Sequence, residues 1–112
     1  MAQARAVARD IKGSVRKVRL VLDSVRGRRA TEALTILQFM PQHAARDVYK
    51  VLKSAVANAE NNYQLEPGEL YIHTITADEG RTFKRAWRVS KGRAMPKLRR
   101  HTHITVVVED RG

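Results

Sequence analysis

The chain contains no cysteine, which excludes disulfides, thiolate metal sites and a cysteine nucleophile. That absence fits a reducing compartment. Aromatic residues are few, with two Phe, three Tyr and a single Trp, so aliphatic side chains and Ala must fill most of any core. Nowhere do the roughly 18 consecutive apolar residues needed for a membrane span occur. Met1 to Gly13 has no apolar run of signal-peptide length, and Asp10 with a strand-like pattern argues against a transit peptide. A soluble, cytoplasmic protein with no membrane span is expected. Acid is also scarce: 11 Asp and Glu face 22 Lys and Arg, a formal net charge of +11. Such an excess repels itself in a compact fold, so a polyanionic partner is the natural counterweight.

The charge is distributed unevenly. Residues 1–29 carry nine basic groups and two acids, residues 30–79 three basic groups and seven acids, and residues 80–112 ten basic groups and two acids. Both ends are polycationic and the middle is mildly acidic. A generic solvated surface mixes the signs. Two segments therefore become candidates for facing phosphate. A length of 112 residues implies one domain, 1–112.

Local patterns place the elements. Ala4, Ala6 and Ala8 alternate with Arg5, Val7 and Arg9, a period of two that predicts a strand with a small inner face and a basic outer one; Gly13 breaks it. Ser14 is a good N-cap, after which Val15, Val18, Val21, Leu22 and Val25 recur at helical spacing. Gly27 ends this helix as a left-handed residue. Thr31 is expected to cap a short second helix with Glu32 in its first turn and Leu34, Leu37 and Met40 on one side, interrupted at Pro41. From about His43 to Asn61 a third helix carries Ala44, Val48, Val51, Leu52, Ala55, Val56 and Ala59 as an apolar stripe. Its many Ala allow another element to approach closely. Asn61, Asn62, Pro67 and Gly68 mark its exit. Leu70 to Ala77 and Ile104 to Val108 read as strands.

Between those strands lies the most informative stretch. Residues 81–101 hold Arg81, Lys84, Arg85, Arg88, Lys91, Arg93, Lys97, Arg99 and Arg100 and no acid. The apolar residues among them cannot make a core. Ser90-Lys91-Gly92 supplies turn chemistry near the midpoint. The economical geometry is an antiparallel hairpin over about 80–102, projecting roughly 30 Å from a body formed by 1–79 and 103–112. A two-stranded ribbon alone in water is marginal, so a partner must cradle it. Folded RNA fits: Arg and Lys take phosphates, and Trp87 or an Arg plane stacks on an unpaired base.

Other chemistries find less support. His101 and His103 share one face of a strand, a spacing that can bind metal, but no Cys or carboxylate pair completes a ligand set; no metal or cofactor is expected. Asp78 and Glu79, next to Gly80, read as polar turn residues where body gives way to finger rather than as an acid–base pair. No phosphate loop, metalloprotease helix or nucleophile elbow is present, so no enzyme is expected. A membrane-active peptide is disfavoured because the basic segments lack a continuous apolar face. A free-standing nucleic-acid binder using the hairpin as a β-ribbon stays open as a competing reading.

Several blocks resemble the universal large-subunit ribosomal protein twenty-two family. They are Lys17-Val18-Arg19-Leu20-Val21, Ala57-Asn58-Ala59-Glu60-Asn61, Asp78-Glu79-Gly80, Lys84-Arg85, Gly92-Arg93-Ala94 and His103-Ile104-Thr105-Val106-Val107-Val108. They fall in the family's order over nearly the whole chain. The resemblance implies an α+β fold, three helices packed on a three-stranded antiparallel sheet with a protruding hairpin. It further implies large-subunit ribosomal RNA and neighbouring ribosomal proteins as partners, a role in assembly, and no homo-oligomer. The hairpin would line the nascent-peptide exit tunnel, its tip of Lys84, Arg85, Trp87, Arg88, Val89, Ser90, Lys91 and Gly92 near the macrolide-binding constriction and beside the nascent polypeptide. Candidate RNA contacts are Arg5, Arg9, Lys12, Arg16, Lys17, Arg19 and Arg28 with the nine cations of the finger. Bacterial members often carry Pro-Arg-Ala where this chain has Arg88-Val89-Ser90, a departure that bears on the tip conformation.

Overall fold

Alternating small and charged residues at the start of the chain form the first strand of a computed structural model that describes residues 3–89 and 93–110, with side chains at 3–80 and 101–110. Strand β1 spans Gln3–Lys12. Ala4 and Ala6 are buried while Arg5, Val7 and Arg9 face solvent, as the pleat requires. Helix α1, Val15–Val25, buries all five of its predicted apolar positions. Ser14 stands at its N-cap, but the hydroxyl makes no capping bond; its carbonyl accepts the Val18 N–H at 3.3 Å. Gly27 follows with φ +77°, the left-handed conformation expected of it.

Helix α2 corrects the sequence expectation at its start. It spans Ala30–Gln38 with Arg29 at the N-cap, so Thr31 lies inside the first turn and caps nothing. The reason is packing: Ala30 is wholly buried, and burial of that residue draws the helix start forward. The helix stops short of Pro41, which disfavours helical backbone just before it. Helix α3, Ala44–Tyr63, is two residues longer at its end than expected and buries Ala45, Val48, Val51, Leu52, Ala55, Val56 and Ala59. Gln64 ends it in the left-handed region at φ 54°, and a 3-10 turn over Pro67–Glu69 leads onward.

Strands β2, Leu70–Val89, and β3, Arg93–Asp110, complete an antiparallel sheet of order β1-β3-β2. The α+β architecture is the expected one. Its inner face consists of Ala4 and Ala6, then Ile104, Val106 and Val108, then Leu70, Ile72, Ile75 and Ala77, all buried. Helix α3 lies over β1 and β3, α1 lies over β2, and α2 packs on α3. The small residues of β1 let the Ala-rich α3 come close. Each buried Val, Leu or Ile here contributes roughly 1.5–3 kcal/mol, and the opposite sheet face is left without a helix.

Beyond the body the sheet narrows. The last partner of β1 is His101, paired with Lys12, whereas β2 and β3 continue together from Thr82↔Arg100 to Val89↔Arg93. Those eight further pairs, at about 3.3 Å each, make a two-stranded ribbon of about 26 Å. The molecule accordingly measures 65 × 26 × 17 Å with a radius of gyration of 17.1 Å, against about 13 Å for a compact chain of this length. Pro96, in the ribbon opposite Ala86, has no N–H to donate, which a ribbon open on its outer side tolerates.

Both outer strands carry an extra residue at the neck, between Ala8 and Ile11 in β1 and between Glu79 and Thr82 in β2. Asp10, in the first of these bulges, has φ 56°. Its N–H donates to His103 Nδ1 at 3.1 Å. Asp78 and Glu79 are thus not turn residues, as the sequence suggested, but ladder positions just before a bulge. The Thr102 hydroxyl donates to the Gly13 carbonyl at 3.0 Å, which satisfies a fully buried polar group. At Gly80 a Cβ would stand 3.0 Å from His103 Cε1 and 3.3 Å from the His101 carbonyl oxygen. Gly80→Ala should therefore lower stability by about 1 kcal/mol through overpacking, and Leu52→Ala by about 3 kcal/mol through the cavity it leaves, both measured by urea unfolding.

Candidate nucleic-acid interface

The sequence of the ribbon carries charge of one sign only. Lys84, Arg85, Trp87, Arg88 and Val89 occupy the β2 arm, and Arg93, Lys97, Arg99 and Arg100 the β3 arm, with Arg81 in the bulge below. Ser90, Lys91 and Gly92, and with them the predicted turn, lie outside the described residues. The register sets Arg85 directly across from Lys97. Like charges opposed in a ladder are destabilising, and an anion between or beside them reverses that effect.

On the body the predicted cations divide into two groups. Arg5, Arg9, Lys12, Arg16 and Lys17 are exposed. Arg5 and Arg9 extend with Val7 from the sheet face that no helix covers. Lys12 and Lys17 line a cleft of about 400 Å³ between the start of α1 and the start of α3, together with Ser14, Leu20 and His43.

Other arginines serve the fold itself. Arg19 donates from Nε and Nη2 to the Ala77 carbonyl at 3.2 and 2.9 Å, and Arg26 donates to the Ile75 carbonyl at 2.7 Å. Both close the outer edge of β2, where unpaired carbonyls would otherwise invite another strand. The loop after α1 continues the cover, with the Ile72 N–H donating to the Arg28 carbonyl at 3.0 Å and Arg29 bridging to Tyr71. Arg28 also donates to the Ser24 carbonyl at 2.9 Å and to Glu32 at 2.7 Å. Arg29 Nε donates to the Tyr71 hydroxyl at 3.0 Å, and this bond holds its pKa above the ordinary arginine value. On the other side, Asn58 donates to the Arg5 carbonyl at 3.0 Å and covers the edge of β1.

Arg19 and Arg28, read from sequence as RNA contacts, thus hold internal partners, while Arg26 and Arg29, outside that reading, turn out to be structural. Spacing could have hinted at it: Arg19 in α1 and Arg26 at its C-cap are seven residues apart, about two helical turns. His103 binds the bulge at Asp10, and among the described residues no group of three or more His, Cys, Asp or Glu is placed to hold a metal ion. The division is testable by urea unfolding. Arg19→Ala with Arg26→Ala should cost about 2 kcal/mol, allowing for their solvent exposure, while Arg16→Ala with Lys17→Ala should stay within about 0.5 kcal/mol of the parent.

Comparison with known proteins agrees with this geometry. The family model described as ribosomal protein L22p/L17e matches residues 6–109. A protein of Thermoanaerobacter sp. (strain X514) named large ribosomal subunit protein uL22 is 50% identical over 109 residues, covering 97% of this chain and 98% of its own length. Proteins of the same name from Dehalococcoides mccartyi (strain CBDB1), 49% identical over 108 residues, and Clostridium novyi (strain NT), 50% identical over 109, match 96% and 97% of this chain. Family match and near full-length identity together leave one assignment: the chain belongs to the ribosomal protein L22p/L17e family, structural constituents of the large ribosomal subunit.

Proposed function

We propose that this chain binds large-subunit ribosomal RNA, aids folding of that RNA during assembly, and places its hairpin in the wall of the nascent-peptide exit tunnel. The observation that carries this reading is the ribbon: β2 and β3 stay paired for eight residue pairs past the end of β1, and residues 81–101, which include them, hold nine cations and no acid. Such a ribbon has no core of its own, and its conformation is completed by what surrounds it. Folded RNA offers a crevice lined with phosphate, where positive charge on both arms releases counterions on binding. The chemistry is structural, since the RNA is held and not transformed. As a large-subunit protein the chain works on the ribosome, in the cytoplasm.

On this reading Arg5, Arg9, Lys12, Arg16 and Lys17 contact RNA from the body, and the cations of both arms contact it from the ribbon. Trp87, flanked in sequence by Arg88 and Ala86, stacks on a base or faces the tunnel lumen beside the nascent polypeptide. Neighbouring large-subunit proteins pack against the remaining body surface. Lys84→Ala with Arg85→Ala tests the reading. The pair should weaken binding to transcribed large-subunit rRNA at least about tenfold, since one lost charge-assisted contact is worth about 1.5 kcal/mol or more. It should leave unfolding of the body unchanged and alter the macrolide response of cells that carry it. Parental affinity together with parental drug response would refute the proposal.

A further inference from the structure

The net charge of the middle segment hides a basic surface that the fold assembles. His43, Arg46, Lys50 and Lys53 recur at spacings of three, four and three along α3, which puts them on one face of the helix, and all four are exposed. No carboxylate pairs with any of them among the described residues. Asp47 turns toward β1 and α1, where it shares one cleft with Lys50 and another with His43, and Glu60, Glu66 and Glu69 lie at or beyond the far end of α3.

Beside this stripe the chain leaves an open cleft of about 730 Å³ between the end of α2 and α3. Arg46, Lys50 and His43 form one wall, Met40, Pro41 and Tyr49 supply apolar and aromatic surface, and no acid lines it. Lys53 Nζ stands 5.9 Å from the centre of the Tyr49 ring. Phe39, next to Met40 in the chain though not itself in the cleft lining, is 79% exposed. His43 also lines the cleft that holds Lys12 and Lys17. Cations therefore run from Lys12 and Lys17 past His43 to Lys50, with Asp47 beside His43 in the first of the two clefts.

We infer that this cleft binds a single-stranded RNA segment, with phosphates on Arg46 and Lys50 and an unpaired base stacked on Phe39. The inference rests on the RNA-binding role proposed above and extends it to a part of the chain whose summed charge is negative. RNA is the occupant the observations favour. Cations spaced along a helix suit a string of phosphates, the run of cations continues from Lys12 and Lys17, and an exposed aromatic ring gives a base a stacking platform. An acidic peptide would use the same charges but would not call for the ring.

The test uses the full chain, with transcribed large-subunit rRNA as the probe and the salt dependence of affinity as readout. Arg46→Ala with Lys50→Ala should reduce the slope of log affinity against log salt by about 1.5, at 0.7–0.9 per phosphate contact. Phe39→Ala should weaken binding about fivefold or more with the slope unchanged, as loss of one stacked base predicts. All three positions are exposed, so circular dichroism should match the parent. Lys84→Ala with Arg85→Ala is the reference. If that pair weakens binding and the cleft variants do not, the cleft assignment fails while RNA binding by the finger stands. If none of the variants weakens binding, the underlying reading fails as well. Cleft variants that bind rRNA normally yet wash out of the assembled large subunit would show that a neighbouring protein's acidic segment fills the cleft, and would overturn the RNA assignment.

Discussion

The structure depends on how its central strand passes from one environment to another. Up to Thr102, β3 is the middle of a three-stranded sheet with Ile104, Val106 and Val108 fully buried. Past His101 it is one arm of a ribbon that has lost its third strand. A core ending at such a step would expose backbone polar groups, which must find partners. The neck supplies them: the Thr102 hydroxyl reaches the Gly13 carbonyl and His103 accepts the Asp10 N–H. The bulges in β1 and β2 bracket the same residues. Extra residues raise local twist and bend their strands, so β1 can leave toward α1 while β2 and β3 continue outward.

The arginines show how a chain with +11 charge remains folded. A guanidinium has five donors in a fixed fork, and it stays charged while it bonds to carbonyls. Arg19, Arg26 and Arg28 use that capacity against β2, α1 and α2, and Arg29 stacks over Tyr71 at 5.5 Å. Positive charge is thereby turned into edge cover at the side of the sheet where an intruding strand would pair. Lysine could not replace them equally, because one ammonium cannot span two donors to one carbonyl as Arg19 does. Arg5, Arg9, Lys12, Arg16 and Lys17, by contrast, are exposed.

Much of the fold could be read in advance because its signals are periodic. The alternating Ala of β1, the valines of α1 and the Ala–Val stripe of α3 each repeat over several turns or pleats, and all landed on the buried side. The bulges could not be read, since one extra residue leaves no mark on composition; Asp78 and Glu79 looked like a turn for that reason. Thr31 carried a capping signal that the burial of Ala30 overrode. The site was legible only as charge. Sequence separates cations from acids by segment, but only the fold shows that Arg19 and Arg28 hold internal partners or that Arg46 and Lys50 share a cleft that no acid lines.

Ordering the ribbon and binding a polyanion are, on the proposed reading, one event. Fixing a residue's backbone costs about 1–2 kcal/mol in conformational entropy, while a cross-strand pair returns roughly 0.2–1 kcal/mol. Here one of those pairs, Arg85 against Lys97, opposes like charges. The body covers none of this deficit, because its core closes at Thr102. An RNA crevice reverses the sign of the electrostatic part: the repulsion that strains the isolated ribbon becomes attraction along both arms. The absence of acid from residues 81–101 is then a physical requirement. A single Glu among them would ease the free ribbon while meeting phosphate with like charge, favouring the unbound state at the expense of the bound one.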